Sequence, residues 1–514
     1  MLKFTIFGPA GHGKSTLAGY LLWRTEPEAA EHQIAHAKRT LGASFDAAQA
    51  LAYLVDLSED ERARVKERDQ STSKRLHIAR AVTAVERGNM SFDIIDTPGG
   101  WKYASDQRLR GLFYADVGVF AIEALAEAPP PWARLARDDK GMTETFGALL
   151  TWAALRPNAP LIVVVTKMDR VGHQRAAFDR TRRHVKAVLG DALKPQFLPV
   201  SIDVKARIGR NLTNIDAPLA DWYRGSCLAD AITGLKERVD VSPPAGEGVM
   251  VVTRRGERAG KGAIYFGKVL SGSFREGQQV QILPVRIGNA ENAVLTGQVR
   301  YLERSGDRSA SEILDAGELG GLVISRVSSR DAILQQTSLI LEDSANFDRG
   351  RYVRLKLNSD GAPSWLHIAA QIEIIWLGRF HSARIFEYKV KGADIELGLL
   401  LQKKSAFVCP RAEAGNGYAF PSVLLARSSS AMDFCEAVIR SVGEVCAVKG
   451  LAPGPARRLA KRLGRPEITD TDIPIDAADL GWLASHIGRA GEAEERAPLT
   501  VIDTSMLQEI TDGK

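Results

Sequence analysis

The sequence has little sulfur chemistry to offer. Four cysteines occur in 514 residues, Cys227, Cys409, Cys435 and Cys446, and none stands in a C-x-x-C pair. That spacing argues against the common zinc sites and a dense disulfide framework, and points to a reducing compartment. No run of about 18 apolar residues occurs, so no apolar membrane span is expected. The chain runs straight into Lys3 and an apolar stretch with no basic-then-apolar leader, so a cytoplasmic location is expected. Charge is not one-sided either. With 68 Lys+Arg against 62 Asp+Glu, the formal net charge is +6, which permits a nucleic-acid partner without pointing to one. The remaining composition, 45% hydrophobic and 25% charged, is that of ordinary globular domains. The length accommodates about three of them.

What is present is a phosphate site. Gly8-Pro9-Ala10-Gly11-His12-Gly13-Lys14-Ser15-Thr16 fits G-x-x-x-x-G-K-[ST] in full. The bulky stretch 2–7 ahead of it reads as a buried strand, and 17–23 reads as the helix that follows. A glycine-rich turn between strand and helix clusters backbone N–H groups at a helix N-terminus, whose partial positive charge favours an anion. Gly8, Gly11, His12, Gly13, Lys14, Ser15 and Thr16 are therefore the expected phosphate-binding set. Lys14 is expected to reach the β- and γ-phosphates, and the Ser15 hydroxyl to ligate Mg2+.

Further strands are expected at 91–96, 115–122, 161–165 and 197–201. All are near-continuously apolar and alternate with helical stretches, which implies an α/β domain with a parallel sheet and helices on both faces. Ligands of such a sheet sit at the C-terminal strand ends. The second strand ends in Asp96-Thr97-Pro98-Gly99. Asp96 there is placed to hold Mg2+ through water, and the Gly99 N–H is free to approach a γ-phosphate closely. The strand at 161–165 leads into Thr166-Lys167-Met168-Asp169. An Asp carboxylate accepts two hydrogen bonds from guanine N1–H and N2–H2, a donor pair adenine lacks. The Lys167 stem can pack over the base. Ser201 and Ile202 close the base pocket, and GTP or GDP is the expected ligand. His32 and His36 sit four apart on a helical stretch with no acidic third ligand, so a solvated helix face is the simpler reading.

These motifs, in this order, resemble the translational GTPase superfamily and within it the elongation factor 1-alpha branch. That branch also includes release and rescue GTPases and the large, GTP-binding subunit of bacterial sulfate adenylyltransferase. Lys140-Gly141-Met142-Thr143-Glu144 is similar to the N-G-Q-T-R-E of elongation factor 1-alpha. Asp221-Trp222-Tyr223-Arg224-Gly225 resembles the P-W-[YF]-x-G that ends the GTP-binding domain. The resemblance implies a GTPase domain over 1–240, an antiparallel β-barrel over 241–332 and a second, divergent barrel over 333–427. Gly267 to Gly277 is similar to the family's G-R-V-x-S-G-x-[LV]-K-x-G. It also implies a GTPase that changes shape on hydrolysis and delivers a tRNA or a translation factor to the ribosome. A GTP-binding subunit partnered by a small adenylyltransferase subunit is the alternative, and a non-hydrolysing GTP-bound scaffold is a third.

The departures from the family pattern are informative. Where the family carries a water-positioning His after D-x-P-G, this chain has Gly100 and then Trp101. Gly11 replaces an Asp, and Thr166 replaces the usual Asn. The first-switch Thr that ligates Mg2+ has two possible registers. Glu67-Arg68-Asp69-Gln70 in place of E-R-E-Q makes Thr72 or Ser73 the ligand, with Thr72 preferred. Glu61-Arg62-Ala63-Arg64 leaves no hydroxyl at all. The family's binding groups are largely kept and its water-positioning group is lost, so GTP binding with slow intrinsic hydrolysis is expected.

From 428 onward the pattern turns helical. Ala456, Leu459, Ala460 and Leu463 form a stripe flanked by Arg457, Arg458, Lys461 and Arg462, and 476–487 is a second helix candidate. A mostly helical C-terminal extension over 428–514 is the expectation.

Overall fold

The computed structural model describes residues 2–56, 77–85, 88–97, 111–126, 139–156, 158–190, 193–236, 246–258, 260–287, 290–304, 310–327, 333–343, 347–350, 352–358, 362–367, 370–401, 407–410, 423–427 and 434–443. These fall into two compact units. One carries Met1–Ser242 with Arg304–Ser309 and Ser430–Met432; the other carries Pro243–Glu303, Ala310–Ser429 and Asp433–Lys514.

The first unit is built on a six-stranded sheet. Its strands are β1 (Leu2–Phe7), β2 (His77–Val85), β3 (Gly88–Asp96), β4 (Val117–Glu123), β5 (Leu161–Thr166) and β6 (Gln196–Pro199), in the order β2-β3-β1-β4-β5-β6. Every residue of β1 and β5 is buried, which is what strands covered on both faces require. From β3 to β6 the pairing is parallel, with Phe4 opposite both Ile94 and Val117. Strand β2, which the sequence did not announce, is the exception to the expected parallel pairing. It runs antiparallel to β3 as an edge hairpin, with His77 opposite Asp96.

Helices cover both faces. On one face, α1 (Lys14–Thr25), α2 (Pro27–Leu41) and α6 (Leu228–Lys236) place Leu17, Leu21, Ile34, Leu228 and Ile232 against Phe4, Ile6, Val119 and Val164. On the other lie α4 (Asp139–Leu155) and α5 (Arg175–Leu189). Trp152 of α4 stacks on Phe7 with ring centroids 5.7 Å apart, and Phe146 meets Phe120 at 6.2 Å. The short α3 (Tyr53–Asp56) packs beside α1. His32 and His36 are exposed on α2.

The second unit pairs its described strands antiparallel. Its first part comprises β9 (Val249–Arg258), β10 (Gly262–Ser271), β12 (Gln279–Ile287), β13 (Ala290–Arg304), β16 (Leu319–Ser325) and β17 (Ile333–Glu342). The sheet order is β12-β17-β9-β10-β16-β13, and a further pairing of β12 with β13 joins its ends. Its core holds Met250, Phe274, Val280, Leu295, Leu322 and Ile340. The second part is a closed barrel of β19 (Tyr352–Asn358), β22 (Asp394–Leu401), β21 (Arg379–Lys391), β20 (Gln371–Trp376), β24 (Val423–Ala426) and β25 (Phe434–Gly443). Strand β25 corrects the expectation that the chain turns helical at 428. It closes the barrel by pairing with both β19 and β24. The helices expected at 456–463 and 476–487 lie outside the described residues.

One glycine shows how tightly α1 is docked. A Cβ on Gly19 would lie 1.9 Å from the Leu51 carbonyl oxygen, whereas a Cβ on Gly234 of α6 would meet nothing within 4 Å. Gly19→Ala is expected to cost about 2–3 kcal/mol of stability through overpacking. Gly234→Ala should gain about 0.5–1 kcal/mol through helix propensity. Urea unfolding of the two variants checks both signs.

Candidate nucleotide site

The expected site residues gather where the parallel strands end. The loop from Gly8 to Gly13 joins β1 to α1 and relies on glycine at particular points. Gly8 has φ 142°, and a Cβ there would lie 2.3 Å from the Ala121 carbonyl oxygen. Gly13 sits at φ 85° as the N-cap of α1, and no side chain caps that helix. A helix N-terminus built this way is suited to an anion. Lys14 is buried and its Nζ donates to the Pro9 carbonyl at 2.6 Å, curling over the loop. The Ser15 hydroxyl donates to Asp96 Oδ2 at 3.1 Å. Two loop ends thus bring a hydroxyl and a carboxylate together, a hard oxygen set of the kind Mg2+ takes. Thr97 beside them is anchored to β1, its N–H and its hydroxyl both donating to the Ile6 carbonyl.

The base motif is attached to this loop directly. The Thr166 hydroxyl donates to the His12 carbonyl at 2.8 Å. Thr166 thus supplies a side-chain link to the phosphate loop at the position where the family carries Asn. The Met168 N–H donates to the Val200 carbonyl and the Val200 N–H to the Val165 carbonyl. These bonds carry the segment β7 (Ser201–Asp203) to the flank of the motif. Ser201 is buried, Ile202 is half-buried against the main core, and the Asp169 side of the motif is exposed. The structure therefore brings together Gly8, Gly11, His12, Gly13, Lys14, Ser15, Thr16 and Asp96 at one edge. Thr166, Lys167 and Asp169 adjoin them, with Ser201 and Ile202 beside that motif. Gly99, Gly100 and Thr72 lie outside the described residues.

Several supporting contacts were not expected from the sequence. His173 has φ 56° and its Nε2 lies 2.9 Å from the Ser201 hydroxyl. Burial, then the nearby Arg210 charge, lowers its pKa. The Trp222 indole N–H donates to the His173 carbonyl at 2.8 Å, and its ring packs on Phe178 at 5.5 Å. The Asp221-Trp222-Tyr223-Arg224-Gly225 segment thus backs the base loop from behind. Glu123, the last residue of β4, accepts Lys167 Nζ at 3.0 Å and Arg170 Nη1 at 3.1 Å. Its sequence signal was a carboxylate ending an otherwise apolar strand.

Comparison with known proteins agrees with this geometry. The model of the Elongation factor Tu GTP binding domain matches residues 1–317, and the chain belongs to that family of translational GTPases. It is similar to sulfate adenylyltransferase subunit 1 of Agrobacterium fabrum, 26% identical over 309 residues that cover 60% of this chain and 56% of that protein. It is also similar to elongation factor 1-alpha of Staphylothermus marinus, 25% identical over 338 residues covering 64% and 68% respectively. The chain thus spans little more than half the length of the adenylyltransferase subunit. Among solved structures, the Saccharomyces cerevisiae Ski7 GTPase-like domain, bound to GDP and inorganic phosphate, superposes with a TM-score of 0.66. That match covers 85% of this chain and 97% of that one at 13% identity. Translation elongation factor SelB of Methanococcus maripaludis, with a GTP analogue, gives 0.54 over 86% and 78% at 15% identity. Both share the fold.

His12 gives the site a pH signature. Its side chain is buried, and its Nδ1 accepts the Glu123 N–H at 3.0 Å. Burial first, then the Lys14 and Lys167 charges, push its pKa down to about 3. The folded state therefore keeps His12 neutral while the unfolded chain protonates it below about pH 6.5. Its contribution is complete above pH 6.5 and is lost progressively toward pH 3, at up to about 1.4 kcal/mol per pH unit. His12→Asn keeps an acceptor for Glu123 and removes the titration. The stability gap between the wild type and this variant should narrow by up to about 2 kcal/mol from pH 7.5 to pH 5. Denaturant titrations at the two pH values measure it.

Proposed function

We propose that this chain is a guanine-nucleotide switch of elongation factor 1-alpha type that acts in translation, with Mg2+ bound alongside GTP or GDP. The observation that carries the reading is the hydrogen bond from Thr166 to His12, which joins a phosphate loop and a guanine-reading motif at one sheet edge. In this reading Lys14 and the N–H groups at the start of α1 hold the phosphates. Asp169 reads the guanine edge, while Ser201 and Ile202 close the pocket around it. Ser15, with Asp96 through water, would hold Mg2+, and Thr72 is the proposed first-switch ligand. When bound, Mg2+ would neutralise phosphate charge. Gly99 supports the γ-phosphate by its backbone.

The chain carries Gly100 where the family positions the attacking water with His. Phosphoryl transfer depends on positioning and electrostatic stabilisation, so intrinsic hydrolysis is slow and a partner completes the site. The two barrels carry the cargo, a tRNA or a translation factor, and the ribosome is the proposed target. A second reading is favoured by the adenylyltransferase relative: a GTP-binding subunit held by a small catalytic partner in sulfur metabolism. A GTP-bound scaffold that never turns over is the third.

Lys14→Ala is expected to weaken GDP and GTP binding by at least a hundredfold, about 2.7 kcal/mol, in isothermal calorimetry. Near-unchanged affinity would show that the phosphate site is elsewhere. Single-turnover GTP hydrolysis with and without 70S ribosomes, at matched salt, separates the three readings. Stimulation of about a hundredfold supports the translational role. Its absence together with co-purification of an adenylyltransferase-type subunit favours the second reading. Its absence with tight GTP binding and no such subunit favours the third.

A further inference from the structure

Glu123 ends a strand whose first six residues are all buried, at the edge where the phosphate loop and the base motif meet. Three bonds leave it in different directions. Its peptide N–H donates to His12 Nδ1 at 3.0 Å. Its Oε2 accepts Lys167 Nζ at 3.0 Å, and its Oε1 accepts Arg170 Nη1 at 3.1 Å. The Lys167 and Glu123 side chains are 22% and 21% exposed, whereas Arg170 is 64% exposed. The Lys167 pair is thus the better shielded of the two, and the Arg170 pair contributes little.

Lys167 itself is held in an unusual state. Its φ of 54° lies in the left-handed region, which costs a non-glycine residue about 1–3 kcal/mol and persists only where neighbours enforce it. With its Cα fixed by the backbone and its ammonium fixed by Glu123, what remains of the side chain is a methylene stem stretched between two anchors. A lysine stem of this kind is an apolar surface with its charge turned aside.

We propose that Glu123 is a positioning residue for the bound nucleotide. It draws the Lys167 ammonium to the sheet edge, leaves the stem as a preformed platform for the face of the guanine base, and ties that platform through its own N–H to His12 of the phosphate loop. This rests on the guanine-nucleotide reading and deepens it. The physical gain is preorganisation: a rotamer-rich side chain already ordered before binding need not be ordered by the ligand. Such a gain slows dissociation more than it speeds association. Because the stem meets the face of the base and Asp169 reads its edge, Glu123 sets how long a nucleotide stays and not which purine is chosen.

The test is stopped-flow release of N-methylanthraniloyl-GDP from the full chain and from Glu123→Gln, Glu123→Ala, Lys167→Ala and the Glu123→Ala/Lys167→Ala double variant, with thermal melting of each. Glu123→Gln keeps the side-chain shape and serves if Glu123→Ala does not fold. Release from each folded Glu123 variant is expected to be about fivefold faster. The double variant should release no faster than Lys167→Ala alone, since both changes remove one platform. The preference for GDP over inosine diphosphate should stay within about twofold of the wild type. Wild-type release rates in the Glu123 variants would overturn the proposal. So would single effects that multiply in the double variant, because Glu123 would then be bracing the sheet edge in general, and so would a collapse of the guanine preference. If the wild-type chain binds no labelled GDP, the guanine-nucleotide reading itself falls and this proposal with it.

Discussion

A hydrogen bond of 2.8 Å from the Thr166 hydroxyl to the His12 carbonyl joins two loops that lie 154 residues apart in sequence. Neither loop makes a nucleotide site alone. The phosphate loop offers backbone donors and a lysine, and the base motif offers a carboxylate. Their separation must match the length of a nucleoside diphosphate. That match is set by neighbouring parallel strands. Strand β1 pairs with β4 and β4 with β5, so the ends of β1 and β5 are two strand spacings apart and face the same way. The buried residues of these strands fix the spacing, and the Thr166 bond sets the final register between the loops.

A second constraint comes from burial of charge-capable groups at the same edge. His12 is buried beside Lys14 and within reach of the Lys167 charge, and all three would be cations if His12 were protonated. Burial keeps the imidazole neutral, so its Nδ1 serves as an acceptor for the Glu123 N–H. Glu123 then balances Lys167 and leaves the Lys14 charge facing the loop where phosphate is proposed to bind. Lys167 thus meets a carboxylate, while the Lys14 ammonium lies against the phosphate loop through the Pro9 carbonyl.

The parts of this fold that were legible in the sequence are those whose signal is local. Gly8 to Thr16 shows its form in nine consecutive residues because the strand, the turn and the helix start are contiguous. The buried strands β1, β4 and β5 announce themselves by apolar runs that only two-sided cover explains. Strand β2 does not, since His77 to Val85 mixes alanine, arginine and histidine and gains its place by pairing with β3. Strand β25 is similar: Phe434 to Gly443 contains Glu436, Ala437 and Arg440, a helix-compatible composition, and its partner β19 lies about eighty residues earlier. Tertiary pairing overrides propensity in both. Within the candidate site, the common placement of Lys14, Ser15, Asp96 and Asp169 was readable because each lies in a short contiguous motif at the end of a strand. Glu123 and His173 were not, and neither was the contact of Trp222 with His173, because each acts on another residue and that adjacency exists only in three dimensions.

The groups proposed for binding are held by the packing of the domain itself. Lys14, Thr166 and Ser201 are buried at the ends of covered strands or at a helix start, where the packing that stabilises the domain also fixes their positions. Gly8 cannot change without driving a side chain into the Ala121 carbonyl. Affinity in the proposed site therefore rests on groups that the fold itself holds in place.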